Sequence, residues 1–379
     1  MRNKALGYYT CNGVEFYSKV DACIYAQLNQ KPLEWHFLDE VYNKYNWTVE
    51  PELSLDSLYD LRARELREKY DYLILSYSGG SDSNNILESF IRQNLHIDEI
   101  LTGHMSKATN STTVLDTKVT ASWNFYAEHE LQTVPRLKYI HDKLPKTKIT
   151  VLDMSDTVLA SLKDFENERW ALHRGDHLSI GQPTRTNYLY FSTVKKQFDK
   201  GQRVGFIIGI EKPITFIKGE DFYLRLGDKS TSLSHVNDYN NDYDNVITEY
   251  FYWADTTADL LCKQAHVIKR WLSQTPTYRE LWSKTDWEIW RSTKEKVTRQ
   301  LIYSTWNPQW YQSDKSSTWW HSEFDRWFNN HSELALAQQN WQRGIDFLSS
   351  AVGKYINYSN KTVPDGLLPF GKDFYIGKI

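Results

Sequence analysis

Cysteine is scarce in this chain. Only Cys11, Cys23 and Cys262 occur in 379 residues, too few and too scattered for a disulfide framework, a four-cysteine zinc site or an iron–sulfur cluster. Long apolar runs are missing too: none reaches the roughly 18 residues that a membrane-spanning helix needs. The opening stretch MRNKALGYYT lacks the apolar core and small-residue cleavage site of a secretory signal. The expectation is a soluble, cytoplasmic protein with no membrane partner. Nor does one sign of charge dominate. With 45 Lys and Arg against 48 Asp and Glu, the net charge is −3, which leaves no global basic field and argues against generic DNA binding. A local basic groove stays open. What is present, 40% hydrophobic and 15% aromatic residues, suffices for the packed core of one large or two ordinary domains and excludes disorder as the main state.

The segment YYTCNGVEFY sets Asn12-Gly13 between two β-prone runs, the chemistry of a tight hairpin, because both residues tolerate positive φ. From Ser54, Leu55, Leu58, Tyr59, Leu61 and Leu66 fall near a 3.6-residue period, with Arg62, Arg64, Glu65, Arg67, Glu68 and Lys69 largely elsewhere, so an amphipathic helix is expected. DYLILSYS then reads as a strand, Gly79-Gly80 as a tight loop, and NNILESFIRQN as a helix with Ile86, Leu87, Phe90 and Ile91 on one face. The alternation continues with a strand at IDEILTGHM, a helix within FYAEHELQTVPRLKYIHDKL bounded or kinked at Pro135, a strand at KITVLDM, helical material over 158–172 and a strand at VGFIIGI. The fold class expected is α/β, a parallel sheet covered by helices on both faces.

Polar stretches at 106–122 and 227–245 read as long loops, the second marking a domain boundary. Beyond it 11 of the 15 tryptophans lie between Trp253 and Trp341, with helical patterning and no clear strand series. The division expected is an N-terminal hairpin and helix extension over 1–53, an α/β domain over 54–228 and a helical, Trp-rich C-terminal domain over 246–379. The tryptophans read either as a helical core or as a stacking platform for a nucleobase.

The sharpest chemical signal is Ser78-Gly79-Gly80-Ser81-Asp82-Ser83, between the strand and the helix. Adjacent glycines let backbone approach a ligand, and a helix start offers unpaired N–H groups and a positive dipole end. Ser78, Ser81 and Ser83 add hydroxyls, and Asp82 supplies a hard oxygen that can hold Mg²⁺ against phosphate. No lysine follows the glycines, so the loop is not that of ordinary P-loop NTPases.

SGGSDS resembles the SGGxDS signature of the PP-loop ATP pyrophosphatases, the adenine-nucleotide α-hydrolase-like group that includes asparagine synthetase, GMP synthetase and tRNA-isoleucine lysidine synthetase. The resemblance covers roughly residues 70 to 225, the span of the βα alternation. It implies that ATP and Mg²⁺ bind at 78–83, that a substrate oxygen attacks the α-phosphorus with release of pyrophosphate, and that an amine or ammonia then displaces AMP. It also implies that the end of the IDEIL strand contacts adenine, so that Leu101, Gly103 and Met105 line the base pocket.

Further candidates follow from position. Gly209-Ile210-Glu211-Lys212-Pro213 ends the strand VGFIIGI, and ligands of open α/β sheets bind beyond the carboxyl ends of strands. Lys212 would stabilise charge on the phosphates, and Glu211 would ligate Mg²⁺ or orient an amine. A solvated Glu-Lys turn is the alternative. In GQPTRTNY, Arg185 would bind phosphate or carboxylate and Asn187 would donate to an oxyanion, unless Arg185 is a solvated loop residue. His173, Asp176 and His177 have a spacing that could bind zinc, but Gly175 interrupts it. Lys263 and His266 share a helix face and either look into the crevice or are ordinary polar positions.

Departures from the family narrow the chemistry. Residue 2 is Arg2, not the cysteine of a glutaminase domain, so ammonia must come from outside or the acceptor must carry its own amine. Thiolating and zinc-binding branches need cysteines that are missing, and none follows Cys262. The expected function is an AMP-forming ligase acting on a small-molecule, nucleobase or tRNA acceptor. A nucleotide-binding regulatory or RNA-interacting protein is the competing expectation.

Overall fold

The computed structural model describes residues 6–104, 133–153, 195–210, 212–228, 246–284, 293–307, 330–352 and 371–379. The polar stretch 106–122, most of that at 227–245 and the helix expected over 158–172 lie outside them.

The chain opens with β1 (Tyr8–Cys11) and β2 (Val14–Phe16), the hairpin expected from Asn12-Gly13. Both turn residues take positive φ, 51° and 79°, which matches the twist of the strands they join. Helix α1 (Lys19–Asn29) starts at Ser18, whose hydroxyl accepts from the Asp21 N–H; β3 (Glu34–His36) pairs with β1, and α2 (Asp39–Tyr42) follows. Lys19, fully buried, pairs with Asp228 at 2.9 Å, and the Tyr9 hydroxyl donates to the same carboxylate at 2.8 Å. That polar anchor ties the opening sheet to the residues after Leu226.

Helix α3 (Leu55–Lys69) is capped by Ser54 and buries Leu58, Tyr59, Ala63 and Leu66. Two positions depart from the periodic reading. Leu61 is exposed, and Arg62 is buried with only 3% of its surface accessible. The reason is electrostatic: the Arg62 guanidinium reaches Glu249 at 2.7 Å and Glu65 at 2.7 Å, and donates to the Tyr250 and Phe251 carbonyls.

Next come β4 (Tyr72–Ser76), α4 (Ser81–Arg92), β5 (Glu99–His104), α5 (Val134–Lys143), β6 (Lys148–Asp153), α6 (Lys195–Phe198) and β7 (Val204–Ile208). Pro135 sits in the first turn of α5, where its missing N–H costs nothing. Beyond β7, β8 (Ile214–Lys218) and β9 (Asp221–Arg225) form a hairpin, and β10 (Val246–Tyr250) follows. Helices α7 (Ala258–Gln274), α8 (Arg279–Ser283), α9 (Glu295–Ile302) and α10 (Ala335–Val352) precede the last strand, β11 (Phe374–Lys378).

The central sheet has five parallel strands in the order β10-β7-β4-β5-β6. An α/β fold with a parallel sheet was expected, but β10 was not. Val246–Tyr250 joins β7 along its whole length and carries the sheet into a segment read as the start of a helical domain. The strand-free expectation for that segment fails a second time at β11, which pairs antiparallel with β9. Side chains from the opening sheet (Tyr9, Trp35), the central strands (Leu73, Leu75, Ile207) and α7 (Leu261, Ile268) belong to one apolar core. Trp253, Trp282 and Trp341 are buried, so these three build core, whereas Trp287, Trp290, Trp310, Trp319, Trp320 and Trp327 lie outside the described residues. Among the described residues no helix is long and apolar enough to cross a membrane.

Candidate functional site

Strand order decides where this sheet can bind a ligand. From β4 the chain steps outward to β5 and β6, then returns across β4 to place β7 and β10 on the other side. Connections therefore leave β4 and β7 in opposite directions, the arrangement at which open α/β sheets bind ligands beyond the carboxyl ends of their strands. The turn 78–83 follows β4, and Gly209 to Pro213 follows β7. The two strongest sequence candidates stand at the same switch point.

The turn is shaped by contacts that only glycine permits. Gly79 has φ +75°, and a Cβ there would lie 2.5 Å from the Thr133 hydroxyl and 3.0 Å from the Thr133 backbone. Thr133, just before α5, donates to the Ser78 carbonyl at 3.0 Å and locks the turn from that side. Gly209 presses on the other side, where an added Cβ would sit 3.2 Å from the Ser83 nitrogen and from Ile86. The hydroxyls of Ser78 and Ser83 both bond within the turn: Ser78 accepts from the Gly80 N–H, and Ser83 donates to the Gly80 carbonyl. The Ser83 O–H is thereby used within the turn, whereas Ser78, exposed and accepting from Gly80, keeps its own O–H. Ser78 is exposed, Gly80 and Asp82 are half-buried, and Gly79, Ser81 and Ser83 are buried.

Helix α4 begins with donors unspent. Its first intrahelical bond runs from the Asn84 N–H to the Gly80 carbonyl at 3.0 Å, and no side chain caps it. The N–H groups of Ser81, Asp82 and Ser83 thus precede the hydrogen-bond ladder at the positive end of a 12-residue helix. Directly behind them, Asn84 and Asn85 are fully buried, and the Asn84 Nδ2 and Asn85 Oδ1 atoms have no hydrogen-bond partner among the described residues.

Asp82 and Lys212 meet here. The Lys212 ammonium, its side chain 1% exposed, donates to both Asp82 carboxylate oxygens at 2.7 and 2.8 Å and lies 3.6 Å from Glu295. Tyr303 donates to Asp82 Oδ1 at 2.5 Å, and Tyr252 donates to the Asp82 main-chain carbonyl at 2.8 Å. Burial opposes the charge on Asp82, but Lys212 and, further off, Arg299 outweigh it and hold the carboxyl below the usual aspartate range. The same burial, reinforced by the Asp82 charge, pushes the Tyr252 and Tyr303 hydroxyls well above theirs, so both act as neutral donors. Tyr59 packs against both rings, with centroids 5.9 and 6.1 Å away.

Tyr252, Glu295, Arg299 and Tyr303 were missed by the sequence reading. Each lies far along the chain from SGGSDS, and Tyr and Glu at such positions ordinarily read as core and surface. A local signal does exist in α9, where Glu295 and Arg299 stand four residues apart and so share one face, with Tyr303 capping the helix four residues further on.

The other candidates fare differently. Gly103 lies within β5, opposite Leu152, and Leu101 is buried with its carbonyl accepting from the Tyr77 N–H, so Leu101 serves the sheet rather than a pocket wall. Lys263 pairs with Glu50 at 2.7 Å and donates to the Pro51 carbonyl, while His266 bonds the Trp47 carbonyl at 3.0 Å. Both hold the 47–51 segment and have no role at the turn. Met105, Arg185, Asn187, Glu211 and the His173, Asp176 and His177 set lie outside the described residues. Among the described residues no three His, Cys, Asp or Glu side chains cluster as a metal site. No family model matches the chain, and no curated protein matches it either.

Proposed function

We propose that the protein is an ATP-dependent, AMP-forming ligase of the PP-loop pyrophosphatase type. The observation that carries this reading is the turn 78–83 at the switch point of the sheet, where three N–H groups at the start of α4 precede its ladder and a buried lysine from the segment after the neighbouring strand pairs with Asp82 of the same turn. An anion held there meets a helix N-terminus and an ammonium together.

Each residue has a role in this scheme. Backbone N–H groups of Ser81, Asp82 and Ser83 bind the phosphate chain. Gly79 and Gly209 let Thr133 and the start of α4 pack against the turn where a side chain would clash. Lys212 balances charge on the departing pyrophosphate. Asp82 is the residue that would hold Mg²⁺, an ion that commonly binds through one or two carboxylates plus phosphate oxygens, so a lone aspartate fits it. Bound there, Mg²⁺ would neutralise charge on the phosphate oxygens. Adenine is assigned to the β5 side, near Gly103, as the resemblance implies. A substrate oxygen attacks the α-phosphorus, the bond to the bridging oxygen breaks, and pyrophosphate leaves; a nitrogen nucleophile then displaces AMP. The nitrogen comes from external ammonia or from the acceptor's own amine, and the acceptor is a small molecule, a nucleobase or a tRNA.

Incubation with α-labelled ATP and candidate acceptors tests this. The expected products are AMP and pyrophosphate. ADP and phosphate would refute the pyrophosphatase chemistry, and tight ATP binding without pyrophosphate release in the presence of cell-extract acceptors would favour a non-catalytic nucleotide-binding protein.

A further inference from the structure

Asn84 is the fourth residue of α4 and is fully buried. Its Oδ1 accepts from the Arg136 guanidinium at 2.6 Å and from the Tyr77 hydroxyl at 3.3 Å. A guanidinium only donates, so the oxygen of the carboxamide must face Arg136 and the nitrogen must face away. The Nδ2 group so directed has no hydrogen-bond partner among the described residues. Two buried N–H donors without an acceptor are costly to keep, and their retention calls for a reason.

Where those donors lie follows from their place in the helix. A helical side chain leans back over the residues three and four before it, which for Asn84 are Ser81 and Gly80. That is the turn whose N–H groups precede the hydrogen-bond ladder, since the first intrahelical bond runs from the Asn84 N–H to the Gly80 carbonyl. The carboxamide therefore adds side-chain donors to the main-chain ones of Ser81, Asp82 and Ser83. By donating to Oδ1, Arg136 also polarises the amide and strengthens its N–H groups as donors. Asn85 is fixed the other way. Tyr252 gives its O–H to the Asp82 carbonyl and accepts from Asn85 Nδ2 at 3.2 Å, which leaves an acceptor that an anion cannot use.

Resting on the nucleotide reading above, we propose that Asn84 is a phosphate-binding residue whose Nδ2 hydrogens meet an oxygen of the phosphate chain at the start of α4, and that Arg136 is the positioning residue that keeps the carboxamide turned that way. Neither belongs to SGGSDS. Arg136 comes from α5, the helix whose preceding Thr133 locks the same turn. Inorganic pyrophosphate carries the same oxygens without the rest of the nucleotide, so it isolates the contact.

Titration calorimetry with pyrophosphate, and nuclear magnetic resonance of protein isotope-labelled on asparagine, test this. The Asn84 side-chain amide signal, assigned by its loss in N84D, should move downfield as pyrophosphate binds; a signal that stays in place while pyrophosphate binds overturns the proposal. N84L should weaken pyrophosphate binding on the order of tenfold, and affinity equal to that of the unsubstituted chain refutes the donor role. N84D keeps the test open if N84L does not fold, because a carboxylate accepts from Arg136 and Tyr77 at least as well as the amide does. Its affinity should fall on the order of a hundredfold, and unaltered affinity overturns the proposal. R136M should shrink the amide shift and weaken binding about fivefold. R136K, which can still donate to Oδ1, should restore both; equal losses in the two variants refute the positioning role. Failure of the unsubstituted chain to bind either pyrophosphate or ATP refutes the nucleotide reading and this inference with it, whereas binding that N84L and N84D leave unaltered refutes this inference alone.

Discussion

Two buried ion pairs flank the central sheet and differ in how fully their surroundings are satisfied. At one, Arg62 and Glu249 clamp α3 to β10. The Glu249 carboxylate also receives Lys69 at 2.7 Å and the Tyr70 hydroxyl, and Arg62 spends its remaining donors on Glu65 and two main-chain carbonyls. At the other, Asp82 and Lys212 pair equally closely, yet beside them stand three helix-start N–H groups outside the ladder and two buried asparagine atoms that have no partner among the described residues. The first pair sits in a closed network. Around the second, donors have been left for something else, and a buried polar group without a partner is costly unless function repays it. That contrast separates an ion pair that holds the fold from one that belongs to a site.

The largest effect should come from breaking the closed network. Arg62→Met leaves Glu249 buried with half its compensation gone and should cost about 3–5 kcal/mol, read as the midpoint of urea unfolding, while nucleotide binding per folded molecule is unchanged. Loss of binding without loss of stability would reverse the contrast. Asp82→Asn should act the other way, lowering AMP-forming turnover by about 100-fold or more; retained activity would remove Asp82 from the chemistry. A double-mutant cycle sharpens this: Asp82→Asn with Lys212→Met should be more stable than the two single changes sum to, because each single change removes the other group's closest opposite charge.

Gly79→Ala comes next. Both the positive φ and the 2.5 Å approach to Thr133 oppose a methyl group, so a loss of about 1–3 kcal/mol is expected, with ATP affinity falling alongside; a neutral result would mean that the turn is not locked by α5. The smallest effect concerns pH. Burial holds His266 neutral, below its ordinary value of 6.5. The unfolded chain takes up that proton first, so stability is full above about pH 6.5 and declines as pH falls through the lowered native value. Thermal melts between pH 7 and 5 should show the decline, and His266→Gln should flatten it. Asp82 and Glu249 titrate low in the folded chain, so their share is complete above about pH 4.5 and lost only on further acidification.

Much of this was legible in local pattern. Asn12-Gly13, the amphipathic helix from Ser54 and the strand–glycine–helix passage around Gly79 each depend on a few neighbouring residues, and each formed as read. Arg62 was misplaced because periodicity counts charge as surface and cannot see a carboxylate on a strand 187 residues away. The β8–β9 hairpin was passed over although Gly219-Glu220 between alternating apolar residues signals one. Val246–Tyr250 was passed over although Val, Ile, Thr and Tyr favour strands, because a five-residue run between a polar stretch and a tryptophan-rich one does not by itself show that it joins the sheet until β7 offers a partner.

The amino-acid order alone determined the opening hairpin, the alternation from α3 to β7 and the chemistry of the turn, since φ preferences, side-chain period and helix-start donors are properties of short stretches. Which strands flank that turn, and which distant side chains reach Asp82, were decided only by the fold. Strand order follows from how faces pack and crossovers run, and through it the segment after β7 brings Lys212, and α9 and its C-cap bring Glu295 and Tyr303, to a carboxylate that nothing nearby in the chain could have supplied with partners.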